Sequence, residues 1–199
     1  MGGSSANISA GLVKLGSQAS LITSVSDDAI GRFAVNRLRD YGVDTKYVKT
    51  ISGECRTSLA IYESTLDNFQ NVIYRNNAAD FQVQIADVDS VHYDNYNAII
   101  TAGTVFASEP SRASTFHAIE TANQAGIPVI FDIDYRPYSW PSAAIASDVL
   151  SKAGMSSDLI VGNDEEFGFM AGDYGLSLIH ISEPTRRRGI SYAVFCMKK

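Results

Sequence analysis

Long apolar runs are missing from this chain. The longest are short, such as Ile127-Pro-Val-Ile-Phe131, against the roughly 18 apolar residues that span a bilayer. No charged segment followed by an apolar stretch opens the chain, so nothing reads as a secretory signal, and a cytoplasmic location is the expectation. Cysteine is nearly absent: Cys55 and Cys196 alone build neither a disulfide framework nor a metal site. Histidine is almost as rare, and His92 and His117 stand isolated, as surface or internally satisfied residues do. Basic residues are in deficit, 16 against 22 acidic, for a net charge of −6. That balance argues against a nucleic-acid-binding face, because neutralising phosphates needs a basic patch. What remains is 199 residues, 45% hydrophobic and 19% charged, the composition of an ordinary globular domain.

The order of signals is that of an α/β fold. Met1–Asn7 reads as a Gly/Ser-rich loop, Ile8–Leu15 as a helix ended by Gly16, and Ala19–Val25 as a short apolar strand. Gly31–Tyr41 is an amphipathic helix with Phe33, Leu38 and Tyr41 on its inner face and Gly42 as its stop. Strand, crossover helix and strand in that order imply parallel pairing. The pattern then changes. Val48–Thr50, Ser58–Ser64 and Gln70–Asn76 read as strands of an antiparallel insertion over about 45–80, placed as a lid over a site. Alternation resumes with a strand at Ala98–Thr101, a helix at Ser111–Ala125 and a strand at Val129–Phe131 that is apolar on both faces. A helix at Ser142–Ala153, a strand at Leu159–Val161 and a helix from Asp164 to Ala171 follow.

Three polar clusters fall at helix starts or strand ends, where an open parallel sheet binds its ligand. The first is Gly2-Gly3-Ser-Ser-Ala-Asn7. Paired glycines let a ligand approach the backbone, the helix beyond offers free N–H groups, and Asn7 can bond sugar hydroxyls. An ordinary Gly-rich turn reads the same way, and the spacing is not that of a dinucleotide fingerprint. The second is Asp132-Ile-Asp-Tyr-Arg136, with Trp140 behind it. If this segment is extended, Asp132, Asp134 and Arg136 share one side, and Arg136 suits bidentate capture of carboxylate or phosphate. The competing reading is a structural Asp–Arg pair. The third is Asn163-Asp-Glu-Glu166, which is equally a capping box and a place for a carboxylate to position hydrated Mg²⁺ beside nucleotide phosphates.

The last stretch reads differently from the rest. Leu176–Arg186 resembles a translated transposase-type sequencing adapter, and Ile190–Cys196 resembles the translated flow-cell primer that follows one. Arg187–Gly189 occupies the place of a barcode, and Lys198-Lys199 matches a terminal A-run, although Met197 departs from the expected Leu. Residues 176–199 are therefore expected to be a non-native tail on a domain of residues 1–175. Without the tail's five basic residues and one acidic residue, the net charge falls from −6 to −10. The alternative is a genuine segment of two short strands and a basic turn.

Taken together, Gly2-Gly3-x-x-x-Asn7, Asp27-Asp28-Ala-Ile-Gly31-Arg-Phe, Gly42-Val-Asp44, Tyr74-Arg75, Asp132-Ile-Asp134-Tyr-Arg136, Trp140 and Asn163-x-x-Glu166 resemble the PfkB-type, ribokinase-like carbohydrate kinases. The resemblance covers essentially all of 1–175. It departs at Ser26, where the family usually has Gly, and a modest local effect is expected there. Tyr74-Arg-Asn-Asn-Ala-Ala-Asp80 and Asp132-Ile-Asp-Tyr-Arg-Pro137 are most similar to the branch that phosphorylates 5-dehydro-2-deoxy-D-gluconate in myo-inositol breakdown. Kinases of 2-keto-3-deoxygluconate and of fructose more often carry Asn at the position of Asp134.

The resemblance implies a three-layer α/β/α fold with a mainly parallel sheet and a small antiparallel β lid. It implies ATP and Mg²⁺ as cofactors and a sugar acid as substrate, with no nucleic acid or membrane partner. Homodimerisation through the lid is a family habit that the sequence does not decide. By resemblance, Gly2, Gly3 and Asn7 contact sugar hydroxyls. Arg75 and Arg136, with Asp134, hold the substrate's carboxylate or phosphate, and Asn163 and Glu166 organise Mg²⁺–ATP. The family's first strand, with its substrate-binding Asp, precedes the point where this chain starts. The family's Gly-Ala-Gly-Asp helix start, which supplies the catalytic base, anion hole and nucleotide pocket, is missing, and Ala171-Gly-Asp173 stands too close to Glu166 to replace it. The expectation is a fragment truncated at both ends, holding no catalytic residue and inactive alone. Two other readings stay open: a kinase of 2-keto-3-deoxygluconate or fructose, and a non-catalytic sugar-binding module.

Overall fold

The computed structural model describes residues 2–63, 71–170 and 193–196. The chain divides into two compact units, residues 1–91 with 109–114, and residues 92–108 with 115–199.

In the first unit, helix α1 (Ser4–Lys14) precedes strand β1 (Thr23–Ser26), helix α2 (Ala29–Asp40) and strand β2 (Val48–Ile51). β1 and β2 pair in parallel, Thr23 opposite Val48 and Ser26 opposite Ile51. β2 therefore closes a strand–helix–strand unit and does not belong to the antiparallel insertion, which reduces to β3 (Leu59–Tyr62) and β4 (Asn71–Tyr74). The small core is Leu21, Leu38 and Val43, with Ala6, Ala10, Val13, Tyr41 and Val48 packed on it. Asp28 caps α2 by accepting from the Ile30 and Gly31 amides at 2.9 Å. Bonding from Gly31 first, then from the Ser26 side chain, holds its carboxyl below the usual range.

Gly31 also decides which face of α2 is inward. A Cβ there would lie 1.9 Å from the Ser26 carbonyl oxygen. Leu38 lies two turns on and shares that face, 2% exposed. Phe33 lies about 200° around the helix from Gly31 at 3.6 residues per turn and is 56% exposed. The expected inner face is thus corrected at Phe33. The N-terminal loop is also shorter than expected. α1 begins at Ser4, its first turn closed by Asn7 N–H to the Gly3 carbonyl at 2.9 Å.

After a short helix α3 (Ile85–Asp89), the second unit carries strands β5 (Ile99–Ala102), β6 (Val129–Asp132), β7 (Leu159–Gly162) and β8 (Ala193–Cys196), in that order across the sheet. The first three are parallel and β8 runs antiparallel to β7. Helix α4 (Ser111–Gln124) follows β5, α5 (Ala143–Met155) follows β6, and α6 (Asp164–Met170) follows β7. Phe106, Val129, Phe131, Ile133 and Leu150 are fully buried, and Phe106 meets Phe131 edge to face. The strand expected to be apolar on both faces buries Val129 and Phe131 completely and Ile130 partly. Among the described residues no helix is long and apolar enough to cross a membrane. Of the expected tail, residues 176–192 and 197–199 lie outside the described residues, as do parts of the expected lid strands at 64–70.

Candidate functional site

The candidate residues divide between the two units. Gly2, Gly3, Asn7 and Arg75 belong to the first; Asp134, Arg136, Asn163 and Glu166 belong to the second.

In the first unit, Gly3 caps α1 at φ +97°, a conformation that favours glycine. Cβ atoms at Gly2 or Gly3 would meet nothing within 4 Å. Packing does not demand glycine there; the open backbone is what glycine supplies. Asn7 is exposed on the first turn. Arg75 follows β4, and its expected role is qualified by what it touches. Nη2 donates to Asp80 Oδ2 at 2.7 Å and Nε to the same oxygen at 3.1 Å. Its guanidinium carbon lies 4.1 Å from the centre of the Phe81 ring. The Asp80 carboxylate also accepts from Ser58 Oγ at 2.6 Å. Sequence reasoning missed Asp80 and Ser58 as partners of Arg75; an acid five residues after an Arg in a loop was the available signal.

In the second unit, β6 ends at Asp132, and Ile133 extends its ladder by one bond to Val161 O at 2.8 Å. Asp134 then turns the chain at φ +35°. The segment is not extended, as the alternation argument assumed, yet the charges still converge. The turn brings Arg136 Nη2 to 2.6 Å from Asp134 Oδ1. Asp134 is 4% exposed, and its Oδ2 accepts from Thr104 Oγ1 at 3.2 Å. Arg136 also lies 3.8 Å from Glu166 Oε1 and keeps 46% of its side chain exposed.

Asn163 and Glu166 form the capping box that their spacing allowed. Asn163 N–H donates to Glu166 Oε2 at 3.0 Å, and Glu166 N–H donates to Asn163 Oδ1 at 2.9 Å. Glu166 does a second job, because its Oε1 accepts from Tyr135 N–H at 3.2 Å. That bond brackets the Asp134–Arg136 turn to the start of α6, and Tyr135 stacks on Phe169 with ring centres 3.7 Å apart. Gly162 keeps the junction tight: a Cβ there would lie 2.7 Å from Ile133 Cδ1. Burial pushes the Asp132 carboxyl up to about 6, with the neighbouring charges of Asp134 and Glu166 adding and Arg136 opposing. Thr104, Tyr135 and Phe169 escaped sequence reasoning; only the position of Thr104 just past β5 could have marked one of them.

The arrangement offers a guanidinium held by two carboxylates at the carboxyl ends of parallel strands, beside an acid that titrates near neutrality. Among the described residues no three His, Cys, Asp or Glu side chains group to hold a metal ion directly. Both Glu166 oxygens accept backbone amides, so any cation there would be reached through its own water shell.

Residues 1–184 match the family model described as pfkB family carbohydrate kinase. The 5-dehydro-2-deoxygluconokinase of Clostridium perfringens is 35% identical over 193 residues, 96% of this chain and 56% of that protein. Among solved structures, the ATP-bound fructokinase of Xylella fastidiosa superposes with a TM-score of 0.79 at 23% identity, covering 86% of this chain and 52% of that one. The 2-dehydro-3-deoxygluconokinase of Thermotoga maritima gives 0.77 at 23%, covering 86% and 53%. The Vibrio cholerae fructokinase with fructose, ADP and calcium bound gives 0.74 at 26%, covering 86% and 55%. The chain spans about half the length of the curated relatives it matches. With its mainly parallel α/β fold and the motif residues described above, the chain belongs to the pfkB family of carbohydrate kinases.

Proposed function

We propose that this chain is part of an ATP-dependent kinase acting on a sugar acid, with 5-dehydro-2-deoxy-D-gluconate of myo-inositol breakdown as the substrate. The observation that carries the reading is Arg136, oriented by Asp134 and Glu166 at the ends of β6 and β7 and half exposed. A fixed, partly solvated guanidinium is built to take a carboxylate or phosphate. Gly2, Gly3 and Asn7 supply an open backbone and a polar side chain suited to sugar hydroxyls. The relative's name supports the choice of acid. ATP supplies the transferred phosphoryl group. Glu166, engaged by two amides, would meet hydrated Mg²⁺ only through water, with Asn163 fixing its carboxylate. A second reading, phosphorylation of 2-keto-3-deoxygluconate, rests on the same guanidinium, because that substrate is also an acid.

The hairpin β3–β4 is proposed as a homodimer contact. It exposes Leu59, Ile61 and Tyr62 on one strand and Val72 and Tyr74 on the other, and sedimentation equilibrium reads the mass directly.

The deciding experiment assays the intact gene product with ATP and Mg²⁺ on three substrates: 5-dehydro-2-deoxygluconate, 2-keto-3-deoxygluconate and fructose. The expected order of kcat/KM places the first highest. Fructose as the best substrate overturns the sugar-acid reading, and ligand binding without any turnover favours a non-catalytic module.

A further inference from the structure

We propose that Asp80 is a positioning residue for anion capture: it holds the Arg75 guanidinium side-on and leaves the remaining terminal nitrogen for the substrate. This rests on the sugar-acid kinase reading.

The geometry is specific. Asp80 engages Nε and Nη2 of Arg75 through one oxygen, Oδ2. Its other oxygen, Oδ1, is taken by Ser58. Among the described residues nothing bonds Arg75 Nη1. The guanidinium plane is backed by the Phe81 ring, and Phe81 is itself 9% exposed. Asp80 stands on a fixed footing. It lies in the 3-10 turn Ala79–Gln82, where Ala79 is fully buried and its N–H donates to Arg56 O at 2.8 Å. Asn77, at φ +47°, turns the chain back between Arg75 and this platform.

Ser58 precedes β3 and Arg75 follows β4, so the one carboxylate ties together both legs of the hairpin. A loop arginine without such support would spread over many rotamers, and ordering it would weaken binding. Here the ordering is already done by the fold. The cost is charge: Arg75 and Asp80 form a neutral pair, so Arg75 contributes a directed donor and little long-range attraction. The side chain is therefore set to discriminate the shape of an anion at contact.

The test uses steady-state kinetics on the intact kinase that contains this segment. D80N is expected to raise KM for the sugar acid about tenfold, with kcat and the KM for ATP within about twofold of wild type. D80E keeps the charge one methylene farther out and is expected to recover part of that loss. Adding D80N to R75K is expected to change KM no further, because the bond it removes is already lost. An unchanged or lowered KM in D80N, or fully additive effects in the double variant, overturns the proposal. If D80N does not fold, D80E carries the test: a KM equal to wild type overturns the proposal and a raised one upholds it. A wild-type enzyme that phosphorylates only neutral sugars overturns the sugar-acid reading first, and the proposal with it.

Discussion

Among the described residues, Asp132 is the carboxyl whose proton affinity is shifted most. Its carboxyl is held up near 6 by burial and by the charges of Asp134 and Glu166, against an ordinary value near 3.9 in an unfolded chain. Between those two values the native state holds the proton and the unfolded state does not. Stability from this group is therefore fully present below about pH 4 and lost as pH rises through about 6. Asp132 is only partly buried, so solvent screening reduces the nominal shift to about 1–2 kcal/mol. D132N is expected to be more stable than wild type at pH 7.5 by that amount, and the two are expected to converge near pH 4. Urea unfolding across pH 4–8 checks it, and parallel curves would show that Asp132 is not the group responsible. Sequence placed Asp132, Asp134 and Arg136 together for the wrong reason. Alternation along an extended segment was the argument, whereas a left-handed Asp134 brings the side chains together. Residue types were legible; their pairing through Thr104 and Tyr135 was not, because those bonds span about 30 residues of chain.

At the scale of elements, α2, α4, α5, β6 and β7 were legible to within two residues at each end, because apolar period and cap residues such as Ser142 are local signals. β2 was misassigned because strand composition says nothing of the partner, and its partner is β1. The hairpin β3–β4 poses a stability problem, since two strands alone are marginal in water and their apolar side chains are largely exposed. Its entry is fastened at Ser26 and Thr57. Thr57 Oγ1 accepts from Ser26 N–H at 2.9 Å and meets Ser26 Oγ at 2.8 Å, while Thr57 N–H donates to Ser26 Oγ at 3.0 Å. Ser26, where a modest local effect was expected, thus bonds Thr57 through both its amide and its hydroxyl. S26A and T57A are each expected to cost about 1–3 kcal/mol in urea unfolding, because each leaves buried groups unpaired. The double variant is expected to cost clearly less than the sum. Amide exchange at Leu59–Tyr62 is expected to quicken in all three, and simple additivity with unchanged exchange would mean that the pair does not anchor the hairpin.

At the scale of the molecule, phosphoryl transfer is a problem of positioning and of stabilising charge on the transferred group. The chain carries a net charge of −6. Its two arginines at the candidate sites each sit against a carboxylate, Arg75 on Asp80 and Arg136 on Asp134. The sequence holds no Gly-Ala-Gly-Asp helix start, which the family resemblance implies as the source of base and anion hole. The 199-residue polypeptide is therefore expected to release no ADP above background when incubated with ATP, Mg²⁺ and a sugar acid. A coupled ADP assay reads this directly, with the intact gene product as positive control. Calorimetric titration of the same polypeptide with the sugar acid in the absence of nucleotide separates loss of chemistry from loss of fold. Weak binding of the acid with no turnover is the expected pair of results. Turnover by the 199 residues alone would mean that groups within them supply base and anion hole, and Asp132, titrating near neutrality beside Arg136, would be the first to substitute.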